Sequence, residues 1–215
     1  MSRDTVIVDY GVGNLRSVAR AVSHCGAEPV LSSDPARIEA ARHLVLPGVG
    51  AFGSCIGALR SHGLLESVLK VIDSGRPVLG ICVGMQMLLD VGEEFGEHAG
   101  LARIAGRVQA VPATGADGAP HKIPHVGWSA IFPAAKPWAG TIFEGIAPGS
   151  ACYFVHSYAA VPERPESTIA VCDYDGRTIC AAVNRGRLYG VQFHPEKSGP
   201  VGLRIFDNFL RMSAD

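Results

Sequence analysis

The chain lacks any C-x-x-C pair, although it holds six cysteines: Cys25, Cys55, Cys82, Cys152, Cys172 and Cys180. That absence speaks against a zinc ribbon or a thioredoxin-type centre, and no metal or organic cofactor is expected. It also lacks a long run of Lys or Arg, and its net charge is -1. Neither a nucleic-acid-binding nor a membrane-binding surface is therefore expected. The longest uncharged apolar stretch, Pro77 to Leu89, is too short to span a bilayer and contains Gln86. The start, Met1-Ser2-Arg3-Asp4 running into Val6-Ile7-Val8, has no basic segment followed by a signal-type apolar core. A reducing cytoplasm with free thiols is the expected setting. Charged residues are scarce at 18% while hydrophobic ones reach 47%. A disordered chain shows the reverse balance, so this one should fold. No internal repeat and no linker divides its 215 residues, and one domain over 1–215 is expected.

What is present has a clear order. Thr5 to Asp9 reads as a buried strand, and Leu15, Val18, Ala19 and Val22 recur at helical spacing. Glu28 to Leu31 is a second strand. Ser33-Asp34-Pro35 reads as a capped helix start. His43 to Leu46 is a third strand, a helical segment follows to about Asp73, and Val78 to Ile81 is a fourth strand. This alternation predicts an α/β fold of three layers, with a mostly parallel central sheet and helices on both faces. The second half is strand-rich and antiparallel in character, with strands around Val108, Val126, Tyr153, Ala170, Ala181 and Val191. Ala113–Ala119 reads as a surface loop. The glycine-rich stretch after Asp90 reads as a mobile loop at the site. A final helix begins at Ser198, with Leu203, Phe206 and Leu210 on one face.

The strongest chemical signal is Gly80-Ile81-Cys82-Val83-Gly84, set between a buried strand and a helical pattern. Glycines on each side of Cys82 permit the sharp strand-to-helix turn that lifts a nucleophile out of a sheet. A helix N-terminus favours the thiolate, and the Val83 amide would form half of an oxyanion hole. The other reading is a small core cysteine, which is assigned to the remaining five. A cysteine nucleophile needs a base. His194 ends the strand Tyr189–Phe193, and Glu196 lies two positions on, on the same side of an extended segment. Glu196 would hold the tautomer of His194, and His194 would carry the proton. A solvent-facing histidine beside an unrelated glutamate fits the same residues. The glycine-rich loop Leu46–Gly53 offers a second oxyanion amide or is an ordinary tight turn, and it lacks the Lys-Ser/Thr ending of a P-loop.

Taken together, the elbow with Gln86, the Pro47–Gly50 loop and Gly190-Val191-Gln192-Phe193-His194-Pro195-Glu196 resemble the class I (triad) glutamine amidotransferases. Tyr10-Gly11-Val12-Gly13-Asn14, Pro124-His125-Val126-Gly127-Trp128, Tyr153 to Tyr158 and His194 to Ser198 are similar to the glutaminase subunits of imidazole glycerol phosphate synthase. Sister families of the anthranilate and GMP-synthetase type tend to carry histidine where Met85 stands.

The resemblance implies glutamine hydrolysis by Cys82, His194 and Glu196, with Val83, Val49 and Gly50 forming the oxyanion hole. It implies a glutamine pocket of Gln86, Glu94, His156, Ser157 and Tyr158, in which Glu94 faces the substrate ammonium. It further implies a heterodimer with a (β/α)8-barrel cyclase, contacted through Asn14, Tyr153 and Lys197, and a loop whose Val49 peptide rotates when the partner binds its ligand. The ammonia would serve the cyclase step that makes imidazole glycerol phosphate and aminoimidazole carboxamide ribotide. The competing readings are an autonomous γ-glutamyl hydrolase, a subunit of another synthase, a catalytically dead binding module and a cysteine peptidase.

Overall fold

The computed structural model describes residues 4–134 and 136–213. In chain order the elements are β1 (Asp4–Val8), α1 (Leu15–His24), β2 (Glu28–Ser32), α2 (Pro35–Glu39), β3 (His43–Gly48), α3 (Phe52–Ser61), α4 (Leu65–Asp73), β4 (Val78–Cys82) and α5 (Val83–Gln86). There follow β5 (Leu89–Gly92), β6 (His98–Ala99), β7 (Ile104–Ala110), β8 (His125–Pro133), β9 (Ser150–His156), β10 (Tyr158–Pro162), β11 (Thr168–Tyr174), β12 (Arg177–Arg185), β13 (Leu188–Val191) and α6 (Gly199–Leu210). Among these residues no helix is long and apolar enough to cross a membrane.

Nine strands form one sheet in the order β2-β1-β3-β4-β13-β12-β11-β8-β9. From β2 to β13 all neighbours run parallel; from β13 to β9 all run antiparallel. The α/β sheet with helices on both faces is as the sequence led one to expect. The antiparallel second half, however, extends the same sheet, because β13 pairs with β4 on one edge and β12 on the other. A smaller sheet, β10-β7-β5-β6, branches off. Residues after Asp90, read as a mobile loop, supply β5 and β6 of this sheet. Their backbone is fixed by ladder bonds and by Asp90, whose carboxylate accepts the Gly106 amide at 2.9 Å.

Local chemistry explains the elements. α1 buries Val18, Ala21 and Val22, with Leu15 and Ala19 packed at its edge, so one stripe of the helix meets the core. Asp34 caps α2 by accepting the Ala36 amide at 3.0 Å, with Pro35 in the first turn. The helical segment before Asp73 is broken in two at Gly63, whose φ of +68° ends α3. β3 and β4 are buried along their whole length, which is why they read as continuous apolar runs. Each fully buried Leu or Val there contributes about 1.5–3 kcal/mol. The Ala113–Ala119 loop is tied to the β11–β12 hairpin by Ala116 N–H to Asp175 O and by Arg177 to the Thr114 carbonyl.

Candidate active site

Three neighbouring parallel strands end at one edge of the sheet. The register pairs Gly48 of β3 with Cys82 of β4, and Ile81 of β4 with Val191 of β13. The glycine-rich loop, Cys82 and His194 therefore leave the sheet side by side, at the carboxyl ends of its strands.

Cys82 sits on a strained turn. Its φ is +55° and ψ is -114°, a conformation that costs an ordinary residue about 1–3 kcal/mol. The turn is possible because the chain around it has no side chains to clash. A Cβ on Gly84 would lie 1.9 Å from the Leu46 carbonyl oxygen, and one on Gly80 would lie 2.6 Å from the Gly84 carbonyl oxygen. α5 starts directly after the cysteine, so the unpaired amides of its first turn lie at the same end of β4 as the sulfur.

His194 is buried against Cys82 on one side and Glu196 on the other. Its Nδ1 lies 2.8 Å from Glu196 Oε1. The Glu196 carboxylate is almost wholly enclosed, and its Oε2 makes no hydrogen bond among the described residues. Burial opposes protonation of His194, but hydrogen bonds to Cys82 and Glu196 outweigh it and push its pKa up to about 9. Glu196 thus accepts the Nδ1 proton and favours the charged ring, leaving the Nε2 side toward the thiol.

A cavity of about 440 Å³ opens over this pair. It is lined by Cys82, His194, Val83, Val49, Gly50, Gln86, Glu94, His156, Ser157 and Tyr158, which are all the pocket and oxyanion residues nominated from the sequence. Glu196 stands behind His194, outside the lining. Sequence reasoning did not nominate Ala51, Phe95, Pro124 and Val155, which also line it. Phe95 is 86% exposed at its mouth.

Several nominated side chains are engaged within the wall. Gln86 Nε2 donates to the Tyr158 carbonyl at 2.9 Å and to Gln192 Oε1 at 3.0 Å. Glu94 Oε2 accepts the Phe52 amide at 2.8 Å, at the start of α3. The His156 ring uses both nitrogens: Nδ1 donates to Tyr158 O at 2.9 Å, and Nε2 meets His125 Nδ1 at 3.1 Å. Burial pushes the His156 pKa down to about 4, so the ring is neutral. The wall at Ser157 is where the chain passes from β9 of the large sheet to β10 of the small one.

Gln192 is the clearest residue that sequence reading missed. It is fully buried, and its Nε2 lies 3.7 Å from Cys82 Sγ while its Oε1 holds Gln86. Its signal was its place inside the Gly190–Glu196 motif, two residues before His194. Of the other cysteines, Cys152, Cys172 and Cys180 are buried in the core, with burial pushing each pKa up to about 12.

Asn14, Tyr153 and Lys197 lie outside the cavity. Lys197 Nζ stands 5.5 Å from the centre of the Tyr153 ring, and Trp128, 59% exposed, meets the same ring edge-on at 6.0 Å. The Tyr153 carbonyl accepts the His194 amide at 2.9 Å, so this aromatic surface is joined to His194 through the backbone. Asn14 is the exposed cap of α1, which packs on the Pro195–Lys197 turn.

Residues 6–212 match the family model described as "Glutamine amidotransferase class-I". The chain is 48% identical over 208 residues to "Imidazole glycerol phosphate synthase subunit HisH 1" of Legionella pneumophila (strain Lens), covering 96% of this chain and 98% of that protein. It is 46% identical over 210 residues to the "Imidazole glycerol phosphate synthase subunit HisH" of Symbiobacterium thermophilum, covering 98% and 94%. Among solved structures, "Structure of PurLQS from Thermotoga maritima" matches with a TM-score of 0.72 at 18% identity, over 98% of each chain. "Crystal structure of glutamine amidotransferase" matches with a TM-score of 0.69 at 20% identity, over 96% of this chain and 99% of that one. Those two likenesses bear on the fold.

Proposed function

The chain belongs to the class-I glutamine amidotransferases, as a glutamine amidotransferase subunit of imidazole glycerol phosphate synthase in histidine biosynthesis, and from that premise we propose how its own residues carry the reaction. Glutamine occupies the cavity over Cys82, with its ammonium toward Glu94 and its side-chain amide over the sulfur. The thiol proton rests on His194 Nε2, whose raised pKa favours the charged ring, as Sγ bonds to the amide carbon. The carbonyl oxygen becomes an oxyanion, held by the amides of Val83 and of the Val49–Gly50 loop. Collapse breaks the C–N bond, and the proton on His194 passes to the leaving nitrogen, giving ammonia and a thioester. Water then loses a proton to His194 and attacks the thioester. The C–S bond breaks, the thiol recovers its proton, and glutamate leaves. Glu196 keeps the ring oriented and stabilises the imidazolium in both halves.

Being a subunit of a synthase, the chain works with a partner. The partner in this reading is a (β/α)8-barrel cyclase in a heterodimer. It receives the ammonia and uses it to make imidazole glycerol phosphate and aminoimidazole carboxamide ribotide. The aromatic surface of Tyr153, Trp128 and Lys197 faces it, because ammonia must pass from the triad without meeting bulk water.

The observation that carries this reading is the Cys82–His194–Glu196 chain on the floor of a cavity sized for an amino acid. The test is glutamate release from glutamine by the chain with and without the cyclase and its nucleotide ligand, for wild type and Cys82→Ala. Strong activation by liganded cyclase, lost in Cys82→Ala, is expected. Rapid hydrolysis by the lone chain would remove the partner gating, and no release in any condition would overturn the glutaminase assignment.

A further inference from the structure

Two buried histidines, His125 of β8 and His156 of β9, lie opposite each other in the ladder, and of the two only His156 lines the cavity. Their facing ring nitrogens, His125 Nδ1 and His156 Nε2, are 3.1 Å apart, so one must donate and the other accept. The neighbouring groups set the direction. His156 Nδ1 lies 2.9 Å from the Tyr158 carbonyl, which can only accept, so that nitrogen carries the proton. Burial pushes the pKa of both rings down, so each is neutral and has a single N–H. His156 Nε2 is therefore bare and accepts from His125 Nδ1. His125 Nε2 is bare in turn and accepts the Ser129 hydroxyl at 2.8 Å. Each proton from Ser129 to Tyr158 thus has one position.

The Tyr158 carbonyl is where this chain meets a second one. It also accepts Gln86 Nε2 at 2.9 Å, so both of its lone pairs are filled. Gln86 Nε2 donates as well to Gln192 Oε1 at 3.0 Å. The carbonyl stands at the start of β10, directly after Ser157, which lines the cavity. His156 holds it only while Nδ1 keeps its proton. With no donor at position 125, nothing prevents the proton from moving to Nε2. A bare Nδ1 would then face the carbonyl oxygen and repel it.

We infer that His125 is a positioning residue for glutamine binding: its Nδ1–H, oriented by Ser129, holds His156 in the Nδ1–H tautomer that ties down the Tyr158 carbonyl and with it the pocket wall at Ser157. His125 does not line the cavity, so it acts through His156. Its effect on glutamine binding rests on the glutaminase reading; the tautomer of His156 does not.

The test uses the complex with liganded cyclase and compares wild type, His125→Phe, His125→Asn and Ser129→Ala. His125→Phe keeps an aromatic ring against Tyr174 and Phe154 but has no N–H. His125→Asn gives up the ring and keeps an N–H donor near the place of Nδ1. NMR shifts of the labelled His156 ring nitrogens should show Nδ1 protonated and Nε2 bare in wild type, and the proton on Nε2 in His125→Phe. Losing one hydrogen bond from the wall should raise KM for glutamine about five-fold in His125→Phe, with kcat little changed. His125→Asn should restore the tautomer and most of the KM, and Ser129→Ala should raise KM in the same sense. A wild-type His156 protonated on Nε2 overturns the chain whatever the kinetics. So does an unchanged KM in His125→Phe, or a KM raised equally in His125→Asn, which would make His125 a matter of packing. If His125→Phe does not fold, Ser129→Ala and the wild-type shifts decide. If wild type itself releases no glutamate, the glutaminase reading falls, and the ring shifts alone then decide the tautomer.

Discussion

Val191 of β13 lies beside Ile81 of β4 in a parallel pair, and this single register brings His194 next to Cys82. Cys82 is one residue beyond Ile81 and His194 three beyond Val191, so both emerge at the same end of the sheet. A one-residue slip would turn every side chain of β13 to the other face. The glycines at 80 and 190, paired across these strands, let α5 pack closely on them: a Cβ at either position would meet Gly84 or Met85 at 2.4–2.6 Å.

The strained backbone at Cys82 predicts a trade between stability and activity. Cys82→Gly relieves a positive φ that Cys82→Ala retains, so the glycine variant should be the more stable by about 1 kcal/mol. That is a rise of roughly 2–4 °C in Tm over the alanine variant. Calorimetry on the two inactive variants checks it, and an equal or lower Tm for the glycine variant would count against strain at the elbow.

The His194 pKa of about 9 makes a prediction about pH. The folded value lies above the unfolded value of about 6.5. The His194 contribution is therefore complete below pH ~6.5 and is lost as pH rises through ~9. Replacing Glu196 by Gln removes one of the two partners that raise it, so the pKa should fall. Titration of the His194 ring by NMR reads this directly; an unmoved pKa in Glu196→Gln would separate Glu196 from the triad.

Gln192 bridges Gln86 and the nucleophile, so its loss should be felt in both. Gln192→Ala leaves Gln86 with one fewer buried acceptor and should cost about 1–3 kcal/mol of stability. The pocket wall would loosen, raising KM for glutamine. Urea unfolding with steady-state kinetics tests this, and wild-type behaviour in both measurements would reduce Gln192 to a packing residue.

Lys197 over Tyr153 predicts a specific contribution to partner binding. If this surface docks on the cyclase, desolvation strengthens the cation–ring contact, and Lys197→Ala should weaken the complex by about ten-fold. Calorimetric titration of the two subunits gives the answer, and an unaltered Kd would put the docking surface elsewhere.

How much of this could be read beforehand differs from residue to residue. The elbow at Cys82 was legible because glycines at 80 and 84, a preceding apolar strand and a following helix are all local properties. The His-Pro-Glu segment was legible for the same reason, since two-residue spacing on an extended chain sets which way His194 and Glu196 face. Gln192 and Cys55 were not legible. Gln192 reaches Cys82 only because β13 pairs with β4, and Cys55 touches the Val49 carbonyl only because α3 folds back over the loop it follows. Glu94 and His156 were found, but not their existing bonds to Phe52 and His125, which cross 42 and 31 residues of chain.

The sequence by itself determined the strand–helix alternation of the first half and which residues could serve as nucleophile, base and orienting carboxylate, since these follow from short-range sterics, capping and side-chain period. Only the tertiary structure decided that the antiparallel half extends the parallel sheet, that the stretch after Asp90 forms strands, and that residues 82 and 194 share one cavity. Those outcomes depend on strand pairings between segments far apart in the chain, whose hydrogen bonds and buried surface exist only once the whole sheet has closed.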